Sequence, residues 1–272
     1  MNKKKQIIGI IGEYNPIHLG HIYQINEIKK KYPNSLIILV TNTSFTERGD
    51  VSILNKWNKT KISLENNIDL VVELPFPYAT QSADIFANGA LKILNYLKIN
   101  ILVFGSESNE IDKLSNIAKT QLTNKKYQEK VKDYLKTGIN YPTALSKAIK
   151  DILGYTISEP NDLLGISYIK EIIKNNYPII PITIKRIGSY YETETTTNIA
   201  SASLIRKKIQ ENQSISQYIP NNTEKYLYKN LTLENYFPYL KYKIISEDDL
   251  SIYQTVDEGI ENRLKKEILN TN

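Results

Sequence analysis

The chain has 272 residues, of which 41% are hydrophobic and 24% are charged, and it carries a formal net charge of +6 with a pI of about 9.0. These values are ordinary for a globular protein with one large domain, or with one domain and an appendage. Cysteine is absent, which excludes a disulfide partner and a cysteine zinc site. The apolar runs are too short to cross a bilayer, and MNKKK precedes no signal-peptide core, so we predict no membrane partner and a cytoplasmic location.

Apolar runs alternate with helical patterns along the chain. Strands are predicted at residues 6–12, 35–41, 69–75, 101–105 and 179–187, and helices at residues 18–32, 54–66, 84–97 and 201–212. Residues 111–175 are nearly all helical, with breaks at Gly138, Tyr141-Pro142 and Glu159-Pro160. Because the strands are continuously apolar and are separated by helices, we predict an α/β fold whose parallel sheet is covered on both faces.

The patterns weaken after residue 212. NYFPYLKYKII and TVDEGIENRLKKEIL indicate pieces of a helical appendage. We therefore divide the chain into a first domain of residues 1–213, with a helical insertion at about 111–178, and a C-terminal region of residues 214–272.

Both histidines of the chain, His18 and His21, lie in EYNPIHLGH, directly after the first predicted strand. Ligands of an open parallel sheet bind beyond the carboxyl ends of its strands. Gly20 lets a ligand approach the backbone, and the helix that begins here favours an anion. We expect both imidazoles at this edge, rather than in the core, where they donate hydrogen bonds to phosphate oxygens.

Two alternatives to this interpretation stay open. Either histidine can be an ordinary hydrogen-bonded polar residue. A metal-binding pair is the weaker alternative, because His-x-x-His departs from the i, i+4 spacing of a zinc pair and no acidic residue stands between the two.

His18-Leu19-Gly20-His21 resembles the HxGH motif of the nucleotidyltransferase superfamily, which activates carboxylates or phosphates with a nucleoside triphosphate. The longer stretches are GEYNPIHLGHIYQI, FTERGDVSILNKWNKTKISL, DLVVELP, FGSE, EPNDLLGISYIK, TIKRIGSYYE and IASASLIRKKI. In this order, and from about residue 7 to about residue 264, they resemble the bacterial tRNA(Met) cytidine acetate ligase family. The resemblance implies a Rossmann-like doubly wound parallel sheet of the HxGH nucleotidyltransferase type, with a helical insertion and a short helical C-terminal appendage.

The resemblance also implies a two-step reaction. ATP, accompanied by Mg²⁺, and acetate give acetyl-adenylate and pyrophosphate, and the acetyl group then passes to N4 of the wobble cytidine of elongator tRNA(Met). Two other functions are considered. One is an HxGH adenylyltransferase that acts on a small phosphorylated substrate, against which the full ordered set of motifs argues. The other is a non-catalytic tRNA-binding remnant, against which the intact histidine pair argues.

The family's functional residues map onto this sequence as follows. His18 and His21 would be catalytic and would hold the α-phosphate as acetate attacks. The nucleotide-binding residues would be Ile11, Gly12, Glu13, Tyr14, Asn15, Pro16, Ile17, His18, Leu19, Gly20, His21, Ile22, Tyr23, Gln24, Gly105, Asn161, Arg186, Ser203 and Arg206. Ser201, Ser203 and Arg206 would receive the β- and γ-phosphates at a helix start. Taken singly, these residues also have plain structural interpretations: Gly105 as a turn glycine, Asn161 as a helix cap, and the arginines as surface ion pairs.

Other stretches are weaker candidates. Arg48 and Lys56 are candidates for contact with tRNA phosphates or the triphosphate, and the lysines and tyrosines of the predicted helix at 125–136 are candidates for an RNA backbone. Glu13 and Asp50 are candidates for placing Mg²⁺. Solvated side chains are the alternative for each of them.

The sequence departs from the family in two places. Leu19 stands where the family commonly has Asn in HxGH, but both histidines and the glycine remain. Family members continue beyond ENRLKK with a further helical, basic region, whereas this sequence stops at Asn272. From this we expect weak tRNA affinity and unimpaired adenylate formation.

Overall fold

The computed structural model describes residues 5–187, 199–221, 223–228 and 231–271. The described residues form a five-stranded parallel sheet with the strand order β3-β2-β1-β4-β5. The strands are β1 Ile7–Ile11, β2 Leu36–Thr41, β3 Leu70–Glu73, β4 Ile101–Ser106 and β5 Ile180–Lys185. The order reverses between β1 and β4, which is the arrangement of a doubly wound nucleotide-binding fold, so the predicted fold class is confirmed.

The helices follow the strands in the predicted alternation. They are α1 Leu19–Lys31, α2 Lys56–Glu65, α3 Phe76–Ala79, α4 Ala83–Tyr96, α5 Ile111–Thr123, α6 Lys125–Lys136, α7 Tyr141–Leu153, α8 Pro160–Lys174, α9 Ala202–Gln210, α10 Phe237–Ser246 and α11 Ile260–Ile268. The helices α5 to α8 lie between β4 and β5 in the chain, at the place of the predicted helical insertion. In the described part of the chain no helix is long and apolar enough to span a membrane.

Alternate residues of each central strand pack on opposite faces of the sheet. In β1, Ile8 and Ile10 join one apolar core, while Ile11 joins the other. In β4, Val103 and Phe104 divide in the same way. Because both faces are covered by helices, most positions of these strands favour apolar residues, which explains the long apolar runs.

The structure corrects several predicted boundaries. A further break falls at Asn124, whose Oδ1 accepts the N–H of Tyr127 and caps α6. Gly154 ends α7 in a left-handed conformation, with φ of 79°. The prolines of the two predicted breaks lie in the first turns of α7 and α8, where no backbone N–H is needed. The short helix α3, directly after β3, was not predicted.

The C-terminal region divides between two cores. Ile215, Tyr218 and Ile219 pack with β1 and α9, and the carbonyl of Tyr218 accepts the N–H of Leu19 at the start of α1. The helices α10 and α11 form a separate small cluster around Ile244 and Ile268, together with Leu250. The proposed domain division at residue 213 remains a prediction, and the segment that directly follows it packs with the sheet.

Candidate active site

A cavity of about 580 Å³ lies at the carboxyl ends of the strands, beside the point where the strand order reverses. The predicted site residues that line it are Ile11, Gly12, Glu13, Tyr14, Asn15, His18, His21, Gln24, Gly105, Asn161, Arg186, Ser203 and Arg206. They come from the end of β1 and the loop after it, the first half of α1, the ends of β4 and β5, and the N-terminal halves of α8 and α9. The fold thus gathers into one cavity residues that lie up to 195 positions apart in the sequence.

Some residues of the predicted stretch 11–24 lie elsewhere. Gly20 and Tyr23 line a smaller recess, of about 40 Å³, that shares His18 and His21 with the main cavity. Ile17 is buried in the apolar core, and Ile22 packs against it. Pro16 is buried and Leu19 is partly buried, and neither lines either cavity.

The two histidines form a stacked pair at the start of α1. Their ring centroids are 3.7 Å apart and their planes are tilted by 26°. The Nδ1 of His18 accepts the N–H of Gly20 at 3.1 Å, and the Nδ1 of His21 accepts the N–H of His18 at 3.2 Å. His18 is therefore the N-cap of α1, and the two rings together form a capping box.

These hydrogen bonds determine the tautomer of each ring. An Nδ1 that accepts a hydrogen bond carries no proton, so in a neutral imidazole the proton is on Nε2. Each Nε2–H is then the donor that the ring can offer to a ligand in the cavity. The pair is thus arranged to hydrogen-bond an anion while remaining uncharged.

Burial keeps both rings neutral. Burial, with a smaller contribution from the nearby Arg186 charge, lowers the pKa of His18 to about 3. Burial also lowers the pKa of His21 well below its ordinary value, and the charges of His18, Arg186 and Lys59 act in the same direction. His18 is only 5% exposed, but it lines the cavity together with His21, so both histidines lie at the expected edge of the sheet.

Gly20 has a structural role beside the one expected. A Cβ at this position would lie 2.9 Å from Cε1 and 3.0 Å from Nδ1 of His18. The missing side chain therefore makes room for the capping imidazole. Gly20 also lines the smaller recess, and the approach of a ligand to its backbone stays a prediction.

A second group of polar residues forms where β4 and β5 meet α8. Glu107, directly after β4, accepts hydrogen bonds from the Asn161 side chain and from the backbone N–H of Asp162. The Nε of Arg186 lies 3.4 Å from the same carboxylate. Gly105 lies beneath this arginine, since a Cβ there would be 3.2 Å from the Arg186 Cγ.

A third group surrounds the N-terminus of α9. Ser201 caps the helix by accepting the N–H of Leu204 at 3.2 Å. Arg206 donates from Nη1 to the carbonyl oxygen of Asn15 at 2.8 Å, and its Nη2 lies 4.0 Å from the Asp50 carboxylate. A cation and a helix N-terminus therefore line the same cavity as the histidine pair.

Sequence reasoning overlooked two residues of this region. Glu107 belongs to the motif FGSE, but it holds Asn161 and Arg186, which come from the distant elements α8 and β5, so no local pattern indicates this role. Lys59 is fully buried, with 0% exposure, although lysine normally marks a surface. A helical pattern was available as a signal, because Lys59 lies on the same face of α2 as the buried Ile62 and Ser63.

Of the weaker candidates for phosphate and Mg²⁺ contact, some line the cavity and one lies elsewhere. Glu13, Arg48 and Asp50 line the cavity. Lys56 does not, and it pairs with Glu73 at 3.0 Å on the surface. The motif TIKRIGSYYE is described only as far as Ile187, and its residues 188–192 lie outside the described part of the chain.

The tyrosines of α6 are engaged within the protein. Tyr127 is 4% exposed, and the Tyr134 hydroxyl donates to Asp151 at 2.9 Å. Two lysines of the same helix, Lys130 and Lys136, form surface ion pairs. The helix therefore presents lysines, rather than stacked tyrosine rings, to solvent.

A doubly wound sheet with a cavity at its switch point, a neutral His-x-Gly-His pair and arginines facing it define a nucleotidyltransferase of the HxGH type. A family model described as HIGH Nucleotidyl Transferase matches residues 5–272. The chain is 42% identical over 265 residues to the tRNA(Met) cytidine acetate ligase of Mycoplasma mobile, covering 96% of this chain and 88% of the relative. It is 41% identical over 278 residues to the ligase of the same name from Anoxybacillus flavithermus, covering 96% of this chain and 69% of the relative. The chain belongs to the tRNA(Met) cytidine acetate ligase family of HIGH nucleotidyltransferases.

Solved structures agree with this assignment. The apo crystal structure of Thermotoga maritima TmcAL matches with a TM-score of 0.90 and 28% identity, covering 98% of this chain and 69% of that one. The same protein bound with alpha-thio ATP matches with a TM-score of 0.88 and 27% identity, covering 98% and 68%.

Proposed function

We propose that this protein is an ATP-dependent ligase that converts acetate and ATP to acetyl-adenylate and then acetylates N4 of the wobble cytidine of elongator tRNA(Met). The relatives that carry the name tRNA(Met) cytidine acetate ligase support the substrates, and the TmcAL structure bound with alpha-thio ATP supports the nucleotide. The observation that carries the proposal is the neutral histidine pair, whose Nε2–H donors belong to a cavity large enough for a nucleotide.

In the first step an acetate oxygen attacks the α-phosphorus of ATP. An O–P bond forms, and the bond to pyrophosphate breaks. His18 and His21 would donate from Nε2–H to the α-phosphate oxygens as negative charge develops on them. Donors fixed before the reaction act strongly in a buried site, because no solvent has to reorganise. Because the two imidazoles are neutral, they form no tight ion pair with the α-phosphate of bound ATP, which would stabilise the ground state.

The cations would act on the other phosphates. Arg206 and the N-terminus of α9 are suited to the β- and γ-phosphates, which leave as pyrophosphate. Asn161 and Arg186, held by Glu107, would contact the nucleotide on the β4–β5 side of the cavity. Gly105 would leave the space that Arg186 occupies above the sheet.

Mg²⁺ would enter with the nucleotide. This ion keeps several waters and binds through one or two carboxylates together with substrate phosphates. Of the two carboxylates that the sequence singled out, Glu13 already accepts the Asn42 amide and the Glu47 N–H through Oε1. Asp50 is about half exposed and lines the cavity, so we assign it the contact with the hydrated ion, which would offset charge on the phosphates.

In the second step the N4 amine attacks the acetyl carbon of the mixed anhydride. A C–N bond forms, the C–O bond to the adenylate breaks, AMP leaves, and the amine loses a proton. The protein forms no covalent intermediate, which agrees with a chain that has no cysteine. Catalysis then rests on positioning and on the stabilisation of developing charge.

The decisive experiment is pyrophosphate exchange into ATP with and without acetate, followed by transfer of labelled acetate to an elongator tRNA(Met) transcript. We expect exchange that requires acetate and incorporation at the wobble cytidine, with a transcript carrying uridine at that position as the control. Exchange that proceeds without acetate, but with a small phosphorylated compound, would support an adenylyltransferase instead. ATP binding without any exchange would identify a non-catalytic protein.

A further inference from the structure

A buried lysine lies beneath the loops that form the cavity. Lys59, on α2, is 0% exposed, and its ammonium donates to three oxygens. The acceptors are the Glu13 carbonyl at 2.7 Å, the Asn42 carbonyl at 2.9 Å and the Asn42 Oδ1 at 3.0 Å. An ammonium has three N–H donors, so every donor is used, as a buried cation requires.

These bonds connect two different loops. Glu13 lies in the loop after β1, which continues to the histidine pair, and Asn42 directly follows β2. The Glu13 carboxylate strengthens the connection, since its Oε1 accepts the Asn42 amide at 3.1 Å and the Glu47 N–H at 2.6 Å. Glu47 precedes Arg48 in the loop after β2, and both residues line the cavity. Through Glu13 and Asn42, the Lys59 ammonium therefore connects residues 12–18, the histidine loop, with residues 42–55, the Arg48 loop.

We propose that Lys59 is a positioning residue for adenylate formation, which fixes the histidine loop and the Arg48 loop at the separation that the transition state requires. The inference rests on the proposed function and adds to it a residue that does not line the cavity. A displacement of about 1 Å at reacting groups lowers a rate by about 10²-fold. Loss of the hydrogen bonds that connect the two loops should therefore lower the rate of adenylate formation. The affinity for ATP in the ground state should depend less on the separation of the two loops than the rate of the chemical step does.

The environment of Lys59 gives this role a pH dependence. The titratable groups that are coupled electrostatically to it are Glu13, from the loop after β1, and His21, from α1. Burial lowers the pKa of Lys59 to about 7, and the Glu13 charge opposes this shift. A neutral amine can donate only two hydrogen bonds, so one of the three acceptors loses its partner as the pH rises through 7. Activity should therefore decline above neutral pH.

Stability should change in the opposite direction. The folded pKa of about 7 lies below the ordinary value of 10.5, so the unfolded chain binds more protons between these two pH values. The free energy of unfolding therefore rises over this range, as far as Lys59 contributes. A fall in activity above pH 7 with unchanged or increased stability distinguishes a positioning role from simple unfolding.

The test compares Lys59→Met, Lys59→Arg and Asn42→Ala with the wild type, and uses Lys61→Met, an exposed lysine on the same helix, as the matched control. The measurements are acetate-dependent pyrophosphate exchange from pH 6 to 9, ATP binding by calorimetry, and urea unfolding. We expect Lys59→Met to lower kcat about 10²-fold with a few-fold change in ATP affinity. Lys59→Arg should recover most of kcat and lack the decline above pH 7, because guanidinium does not titrate there. Lys61→Met should match the wild type.

The outcomes separate the two proposals. A wild-type protein that binds ATP without acetate-dependent exchange contradicts the proposed function. A functional wild type, together with a folded Lys59→Met variant of unchanged kcat, contradicts the positioning role. If Lys59→Met does not fold, the decision rests on the other two variants. Unchanged kcat in Asn42→Ala, or a decline above pH 7 that persists in Lys59→Arg, overturns the inference.

Discussion

The imidazole rings of His18 and His21 stack with their centroids 3.7 Å apart, and each Nδ1 accepts a backbone N–H at the start of the same helix. Two imidazolium ions at this distance would repel each other, and each would lose its backbone hydrogen bond. The pair is therefore stable only in the neutral form. The same hydrogen bonds that begin α1 select the tautomer that the proposed chemistry needs, so folding and catalysis depend on one arrangement.

The first prediction concerns stability and pH. The folded pKa values of both histidines lie below their ordinary value of 6.5, at about 3 for His18. Below pH 6.5 the unfolded chain takes up protons that the folded protein does not bind, so stability is present above this pH and is lost as the pH falls. His18 should therefore contribute a slope of about 1.4 kcal/mol per pH unit between pH 6 and 4, and His21 should add to it in the same direction.

Urea unfolding at pH 7, 6, 5 and 4 measures this slope. The double variant with His18→Asn and His21→Asn provides the control, because it has no imidazole to titrate while carboxylates contribute equally in both proteins. A slope that is the same with and without the histidines would show that they are charged in the folded state.

The second prediction concerns catalysis by the pair. His21→Ala should lower acetate-dependent pyrophosphate exchange by about 10² to 10³-fold, which is the usual effect of losing one fixed donor. His18→Ala should do the same and should also destabilise the protein by about 1 kcal/mol, because it removes the N-cap. His18→Asn keeps a capping acceptor, so it should recover the stability but not the rate. Near-normal exchange in all of these variants would contradict the catalytic assignment.

The sequence was sufficient for the sheet, because unbroken apolar runs such as QIIGIIG arise where both faces of a strand are covered. It was sufficient for the location of the site as well, since the histidines follow the first strand. It was insufficient for Lys59 and for the role of Gly20, because a buried cation and a close contact depend on neighbours from other elements. The bond from Arg206 to Asn15 joins residues 191 positions apart, and no local pattern encodes it.

The third prediction concerns the packing of Gly105 against Arg186. A methyl group at this position would be 3.2 Å from the Arg186 Cγ, so Gly105→Ala should displace the guanidinium from Glu107 and from the nucleotide. Arg186→Met should weaken ATP binding about 10 to 100-fold, as expected for hydrogen bonds to a charged group. Gly105→Ala should have a smaller effect of the same kind.

Calorimetric titration of ATP into the single and double variants tests this coupling. The effects of Gly105→Ala and Arg186→Met should not add, because the first substitution acts through the second residue. Gly138→Ala is a suitable control, since Gly138 has open space around its Cα and a φ of 81°. It should lower stability without changing ATP affinity. Fully additive effects would mean that Gly105 contacts the nucleotide independently of Arg186.

The last prediction concerns the RNA substrate. If tRNA phosphates meet lysine and arginine side chains, binding must weaken steeply with salt, because bound cations are released from the RNA. The first candidates are Arg48, in the cavity wall, and Lys56, whose surface ion pair with Glu73 is of the kind worth only about 0 to 1 kcal/mol and is readily exchanged for a phosphate. Substitution of each by Met should weaken tRNA binding and reduce the slope of log Kd against log salt by about 1.

Filter binding between 50 and 300 mM KCl provides the measurement, and Lys92→Met, at an exposed lysine on α4, provides the charge-matched control. A slope that is unchanged in both variants would place the RNA on another surface, with the lysines of α6 as the next set to substitute.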